Sequence, residues 1–146
     1  MSGNDSSELP NPQFLLDESL DPNVAKALAA VGYVIVDVKT AMDPDKEGRR
    51  ILDPEIIEWC RMRGSVWIHA DDRARRDHKK QLQTSGIRTL LVRRPGGRMT
   101  GREQLRILAF VIPQLLDRYN QSPRIRHYRT GAVDPLSKPS LRPVEI

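Results

Sequence analysis

Short apolar runs alternate with amphipathic stretches along most of the chain. Four runs have the length and composition of β-strands, and they cover residues 13–16, 33–38, 65–69 and 87–92. The second run is apolar at nearly every position, which is typical of a strand covered on both faces. The pattern therefore predicts a parallel sheet between layers of helices.

Helical periodicity occurs between and after these runs. The predicted helices cover residues 22–31, 54–63, 73–84 and 101–119. Asp21 and Asp53 each precede a proline, a pair that is typical of an N-cap followed by the first helical turn. Thr100 and Glu103 form a capping box for the last helix. The charged segment 39–52 is predicted to be a loop.

The alternation of strands and helices predicts the domain organisation. Four repeats indicate an α/β domain over residues 13–120, with a small, mainly parallel sheet of about four strands flanked by helices. Residues 1–12 are polar and predict a disordered leader. Residues 121–146 hold four of the 11 prolines and lack periodic apolar positions. They predict a basic tail that is mobile or becomes ordered only on a partner, such as a second copy of the chain.

Charge is divided unevenly between the two halves of the chain. Residues 1–72 carry 7 Lys and Arg against 14 Asp and Glu, whereas residues 73–146 carry 17 against 5. The net charges are −7 and +12, and 18 of the 24 basic residues are arginines, which bind phosphate bidentately. This asymmetry indicates a polyanionic partner, although a solvated basic surface explains most charge runs.

Composition excludes several classes of protein. The longest apolar runs are too short to cross a bilayer, and residues 1–12 lack the order of a signal peptide. The single cysteine, Cys60, rules out a disulfide framework and is expected to be a small buried hydrophobe. We therefore expect a cytoplasmic protein with no membrane partner.

Carboxylates follow two of the predicted strands at the point where each strand ends. Asp17 and Glu18 follow the first strand, and Asp71 and Asp72 follow the third. Because ligands of open α/β sheets bind beyond the carboxyl ends of the strands, we expect these acids to meet Asp53 at one edge. Clustered carboxylates repel each other unless a divalent cation lies between them, and Mg²⁺ or Mn²⁺ suits such oxygen ligands. Asp53 and Asp72 also have the simpler interpretation of helix caps.

Basic residues surround these acids in the sequence. The helix after Asp71 and the loop after the fourth strand carry Arg73, Arg75, Arg76, Lys79, Lys80, Arg93, Arg94 and Arg98. These side chains are candidates for contacts with the phosphates of RNA, but the set on the helix fits an ordinary solvated face equally well. Trp59 and Trp67 are candidates for stacking on bases, although their positions within a helix and a strand favour the core.

Three segments together resemble a known family. Residues 14–20, Phe-Leu-Leu-Asp-Glu-Ser-Leu, resemble the FLLDENL opening strand of PIN-like domains of the Mut7-C/DUF5615 kind. Residues 53–57, Asp-Pro-Glu-Ile-Ile, resemble a later helix start of that family. Residues 66–71, Val-Trp-Ile-His-Ala-Asp, are similar to its third strand. The order and spacing also agree with the family, and the similarity spans residues 13–118.

The resemblance implies a PIN-like fold and a ribonuclease that depends on Mg²⁺ or Mn²⁺. Many members of the family are toxins of VapC-like toxin–antitoxin pairs, so the implied partners are RNA and an antitoxin protein. The residues that the resemblance implies as metal ligands are Asp17, Asp53 and Asp71, with Glu18 and Asp72 as neighbours that position water. The family continues its third motif as Asp-x-Asp-Phe, whereas residues 71–74 here are Asp-Asp-Arg-Ala, so Asp72 or Asp77 would have to replace the second acid.

A binding module without catalytic activity is the alternative function. One form of it is an inactive PIN-like domain. The other is a receiver-like phosphoacceptor domain, which also has paired acids after its first strand and an aspartate after its third. A receiver needs a lysine at the end of a fifth strand, and the pattern predicts neither that strand nor that lysine.

Overall fold

The computed structural model describes residues 13–94 and 97–146, so the predicted leader at 1–12 lies outside the described residues. The strands are β1 (Phe14–Leu16), β2 (Ile35–Asp37), β3 (Val66–His69), β4 (Arg88–Val92), β5 (His127–Gly131) and β6 (Ser140–Pro143). The helices are α1 (Pro22–Ala30), α2 (Val38–Met42), α3 (Asp53–Arg63), α4 (Arg73–Asp77), α5 (Lys79–Ser85) and α6 (Gly101–Gln121). Within the described residues, no helix combines the length and the apolar character needed to cross a membrane.

The six strands form one sheet in the order β2-β1-β3-β4-β5-β6. The first five strands run parallel to their neighbours, and β6 is antiparallel to β5. The predicted α/β class with a mainly parallel sheet is thereby confirmed. The parallel strands have the order 2-1-3-4-5, which is that of doubly wound sheets with a switch point between β1 and β3. In such sheets, ligands bind beyond the carboxyl ends of the strands at the switch point.

Alternate residues of each strand face two separate cores. Phe14 and Leu16 pack in the core formed with α1 and α6, whereas Leu15 packs in the core formed with α3 and α5. The same alternation places Ile68 in the first core and Trp67 in the second. All five side chains are at most 1% exposed. Burial on both faces is the reason that the first strands are apolar at nearly every position.

The prediction of about four strands is wrong, because the segment 121–146 supplies two more. The register pairs β5 with β4 and β6 with β5. Tyr128 of β5 is 2% exposed and packs edge-on against Tyr119 of α6, with ring centroids 5.5 Å apart. The segment predicted to be a mobile or partner-bound tail therefore contributes two strands to the sheet.

Two segments differ from the prediction in their helices. The predicted helix 73–84 is interrupted at His78, whose φ of −124° and ψ of 29° separate α4 from α5. The interruption turns α5 so that it packs against α3. The predicted loop 39–52 begins within α2, whose N-cap is Asp37. The carboxylate of Asp37 accepts hydrogen bonds from the backbone N–H and the hydroxyl of Thr40, which fixes the start of that helix.

Candidate functional site

Asp17 lies at the switch point, immediately after β1. Its Oδ2 accepts hydrogen bonds from the backbone N–H of Ser19 at 3.1 Å and from the Ser19 hydroxyl at 2.7 Å. Its Oδ1 accepts a hydrogen bond from Nε1 of Trp67 at 3.3 Å. The Ser19 hydroxyl in turn accepts a hydrogen bond from the backbone N–H of Ala70 at 3.0 Å. These contacts fix the carboxylate of Asp17 and join the ends of β1 and β3.

Asp53 is the first residue of α3 and does not cap it. The helix begins at Asp53, and its N-cap is Leu52, whose backbone N–H donates to Glu55 Oε1 at 3.4 Å. The interpretation of Asp53 as a helix cap is therefore wrong. Its carboxylate accepts no hydrogen bond from any residue that the structure describes, and Nε2 of His78 lies 3.8 Å from its Oδ2. Asp53 is thus a half-buried acid in the first turn of α3, where the helix dipole favours its charge, but its side chain does not cap the helix.

The three predicted metal ligands lie close enough to influence each other. Burial raises the pKa of Asp53, and the charges of Asp17 and Asp71 raise it further. His78 and Arg73 act on Asp53 in the opposite direction. The structure therefore places Asp17, Asp53 and Asp71 within electrostatic range of each other near the carboxyl edge of the sheet.

Asp71 is held by Arg73. The guanidinium Nε of Arg73 lies 3.1 Å from Oδ1 and 3.0 Å from Oδ2 of Asp71, and Nη2 lies 2.8 Å from Oδ2. These hydrogen bonds lower the pKa of Asp71. Arg73 stands where the third motif of the PIN-like family has its second acid. Asp77, one predicted substitute for that acid, pairs instead with Arg76 at 3.5 Å.

Glu18 and Asp72 each lie beside basic partners. Glu18 is exposed and lies 3.7 Å from the ammonium of Lys39. Oδ2 of Asp72 lies 2.8 Å from Arg75 and 3.8 Å from Arg93. Asp72 is the N-cap residue of α4, as its simpler interpretation predicts, but its side chain makes no hydrogen bond that caps the helix. Asp72 therefore orients the guanidinium groups of Arg75 and Arg93.

The basic residues predicted to bind RNA differ in their availability. Those that form ion pairs with Asp71 or Asp72 are Arg73, Arg75 and Arg93. Four others are exposed, namely Arg76, Lys79, Lys80 and Arg98. Arg94 forms a nearly buried ion pair with Glu103 and donates to the carbonyl oxygen of Ala132 at 3.0 Å. The prediction that Arg94 binds RNA is therefore corrected, because its guanidinium holds α6 and the chain after β5 in place.

Two cavities open beside the carboxylates. The larger has a volume of about 670 Å³, and its charged lining consists of Asp71, Asp72, Arg73, Arg75, Arg76 and Arg93. The other has a volume of about 550 Å³ and extends from Ser19 to Arg98. Basic side chains thus lie beside Asp71 and Asp72 in the larger cavity and line the other one as well, an arrangement that attracts a ligand bearing phosphate groups.

The aromatic and thiol side chains have structural roles. Trp67 is 1% exposed, which confirms its predicted place in the core. Trp59 is half-buried beneath the guanidinium of Arg63, which lies 4.1 Å from the ring centroid. Cys60 is fully buried, and burial raises the pKa of its thiol to about 12. The prediction that Cys60 is a buried hydrophobe is confirmed.

Ser19 and His78 were not predicted as parts of the site. A signal exists for Ser19, because an aspartate followed two residues later by serine is typical of a turn closed by the aspartate side chain. No local signal exists for His78, since its approach to Asp53 depends on the interruption between α4 and α5. His78 therefore lies beside Asp53 because of the tertiary fold and not because of a local sequence motif.

Whether the three carboxylates suit a divalent cation depends on their placement and on their chemistry. Across residues 13–94 and 97–146, no three acidic, histidine or cysteine side chains are placed closely enough to hold a metal ion. The chemistry of the donors nevertheless suits Mg²⁺ or Mn²⁺, since all three are carboxylates and Asp53 lacks a hydrogen bond from the described residues. Arg73 has a side chain that is 72% exposed, and water weakens exposed ion pairs, so a cation can replace it on Asp71.

Asp53→Asn is expected to stabilise the protein near neutral pH. Because folding raises the pKa of Asp53, the folded state binds its proton more tightly, and stability falls as pH rises from the ordinary value of 3.8 through the raised one. Asparagine has no charge, so the advantage of the variant should disappear at about pH 3. Urea unfolding at about pH 3 and pH 7 measures this difference, with the exposed Asp45→Asn as the control. An equal change in the free energy of unfolding for the two variants would contradict the raised pKa of Asp53.

Comparison with protein-family models, with curated proteins and with solved structures finds no match for the chain. The similarity of three short segments to PIN-like domains therefore stays a prediction. A function has to be argued from the residues and geometry of the site.

Proposed function

We propose that the protein is a metal-dependent endoribonuclease that hydrolyses phosphodiester bonds of RNA. The observation that carries this proposal is the state of Asp53. It is a half-buried carboxylate without a hydrogen bond among the described residues, and burial and two neighbouring carboxylates raise its pKa. Such a placement destabilises the fold, and it is expected where a cation neutralises the three acids during function.

Asp17, Asp53 and Asp71 are the residues that would hold Mg²⁺ or Mn²⁺. When bound, such an ion lowers the pKa of a coordinated water and neutralises charge on the scissile phosphate. Ser19 and Trp67 keep the carboxylate of Asp17 in one orientation, and this preorganisation favours a single binding geometry. Arg73 would leave Asp71 and become available to a phosphate oxygen, to which guanidinium groups bind strongly.

The basic residues beside the acids would bind the flanking RNA backbone. Arg76, Lys79 and Lys80 are exposed on α4 and α5, and Arg93 shares a cavity with Asp71. Contacts of this kind position a strand without reading its sequence. Glu18 would position the attacking water, whereas Asp72 would orient arginines, as its ion pairs suggest.

Mn²⁺-dependent cleavage is the direct test of this function. The full chain should cut fluorescently labelled single-stranded RNA in the presence of Mn²⁺ and leave it intact with EDTA. Titration calorimetry should show Mn²⁺ binding to the wild type. Absence of both Mn²⁺ binding and cleavage would overturn the proposal in favour of the binding module.

We further propose that the nuclease is the cytoplasmic toxin of a toxin–antitoxin pair. The support is the resemblance of residues 14–20, 53–57 and 66–71 to PIN-like toxins. Expression of the wild type alone should slow bacterial growth, whereas expression of the Asp17→Asn variant should not. Normal growth with an enzyme that is active in vitro would reject the toxin and keep the nuclease.

A catalytically inactive PIN-like module is the second candidate. The observation in its favour is the hold of Arg73 on both oxygens of Asp71, because a fixed guanidinium can replace a metal ion. The receiver-like form has less support. A fifth parallel strand exists, but it ends at Gly131 without a lysine, and Lys138 lies over the ring of Phe110 at 5.8 Å.

A further inference from the structure

A third cavity, of about 360 Å³, lies between α4 and the edge of the sheet formed by β5 and β6. Its basic lining consists of Arg75, Arg93, Arg129 and Arg142, and its acidic lining is Asp72 alone. The charged groups of the lining therefore have a net charge of +3. Neither Arg129 nor Arg142 belongs to the basic residues that the sequence predicts to bind RNA.

Arg129 and Arg142 stand directly opposite each other in the antiparallel β5–β6 pair. Both side chains are exposed, and neither forms an ion pair within the described part of the chain. Like charges in directly opposed positions destabilise a sheet. Edge protection accounts for a charge on the outermost strand β6 but not for Arg129, which lies on the inner strand β5. A bound anion would remove the repulsion.

Asp72 directs the other two arginines toward the same cavity. Its Oδ2 holds Nη2 of Arg75 at 2.8 Å and lies 3.8 Å from Nη1 of Arg93. One guanidinium comes from α4 and the other from the chain directly after β4. Without Asp72 these two cations would repel each other, so its carboxylate allows both to line one space.

The cavity adjoins the larger cavity beside Asp71 and shares part of its lining with it. Asp72, Arg75 and Arg93 line both of them, and the larger one also contains Asp71 and Arg73. Arginines therefore line a path from Asp71 to the outer edge of the sheet. A row of guanidinium groups along a path fits successive phosphates of a polymer better than one isolated phosphate.

We propose that this arginine-lined path binds the backbone of single-stranded RNA on one side of the cleavage position, with Arg129 and Arg142 as its outermost phosphate contacts. The proposal rests on the proposed ribonuclease function. It assigns the outer strands β5 and β6 to substrate binding and predicts that affinity increases with RNA length. The affinity of an RNA too short to extend beyond the carboxylates should not depend on the two outer arginines.

The test compares two double variants that each remove two positive charges. Arg129→Gln with Arg142→Gln removes the outer contacts, and Lys26→Gln with Arg124→Gln removes exposed charges on α1 and before β5. Fluorescence anisotropy in EDTA measures binding of oligouridylates of roughly 4 and 16 nucleotides over a range of salt concentrations. Cleavage of the shorter oligonucleotide with Mn²⁺ is measured in parallel.

For the longer RNA, the outer double variant should bind roughly tenfold or more weakly at about 0.1 M salt. The slope of log K against log salt should flatten by about 1.4, since each single-strand contact contributes about 0.7. Binding and cleavage of the shorter RNA should not change, and the control variant should match the wild type. An unchanged slope, an equal loss in the control, or no binding of the longer RNA by the wild type would overturn the inference. If the wild type bound the longer RNA through these arginines but never cleaved it, the nuclease function would be rejected and the RNA-binding path would stand.

Discussion

Asp17→Asn is expected to abolish RNA cleavage while the fold persists. The substitution keeps the size of the side chain and an oxygen that accepts the hydrogen bonds from Ser19, so the turn after β1 should survive. It removes a negative charge from the group that would hold the cation. Stabilisation of transition-state charge by a metal is worth several kcal/mol, so a rate loss of roughly a thousandfold or more is expected.

Single-turnover cleavage with Mn²⁺ measures this loss, and thermal melting followed by circular dichroism checks the fold. Asp53→Asn should show the same loss of cleavage. Asp117→Asn, an exposed acid on α6, is the matched control and should cleave at the rate of the wild type. Wild-type cleavage by both Asp17→Asn and Asp53→Asn would show that these carboxylates do not form the reaction centre.

Tyr128→Ala is expected to destabilise the isolated protein by about 3–5 kcal/mol. Truncation of a large buried aromatic ring loses its transfer free energy and leaves a cavity. Tyr128 is 2% exposed in the core with α1 and α6, and its ring packs against Tyr119. Deletion of residues 127–146 should prevent stable folding, since it removes β5 and β6 together.

Urea unfolding of the isolated chain measures both effects. Leu136→Ala is the control from the same segment, because Leu136 is 95% exposed and its truncation should change stability by no more than about 0.5 kcal/mol. If Tyr128→Ala unfolded at the same urea concentration as the wild type, the C-terminal segment would be a tail that folds only on a partner.

The first four strands could be predicted because each is a run buried on both faces. The fifth strand could not be predicted in this way. Residues 127–131 contain one large apolar side chain, Tyr128, between His127 and Arg129, and their other face is only partly buried. The strand is held by its hydrogen-bonded register with β4 and by packing against α6. Such stabilisation comes from tertiary contacts, which outweigh local β-propensity.

The residues of the candidate site also differ in whether the local sequence predicts them or only the tertiary structure does. Position alone placed Asp17 and Asp71 at the carboxyl edge, since each follows a buried strand. The role of Asp53 depended on a helix boundary shifted by one residue, which a sequence pattern does not resolve. The hold of Arg73 on Asp71 depends on a side-chain conformation. The opposed pair of Arg129 and Arg142 requires a strand register that only the folded chain defines.

The rate at which a thiol reagent modifies Cys60 can measure the opening of α3. It is the single cysteine of the chain, and it is fully buried on the inner face of the helix that begins with Asp53. Its raised pKa keeps the thiol protonated and unreactive while the helix is packed. A thiol reagent can therefore modify the native protein only during excursions in which α3 leaves the sheet. The labelling rate of the unmodified chain thus reports how often the helix that carries Asp53 opens.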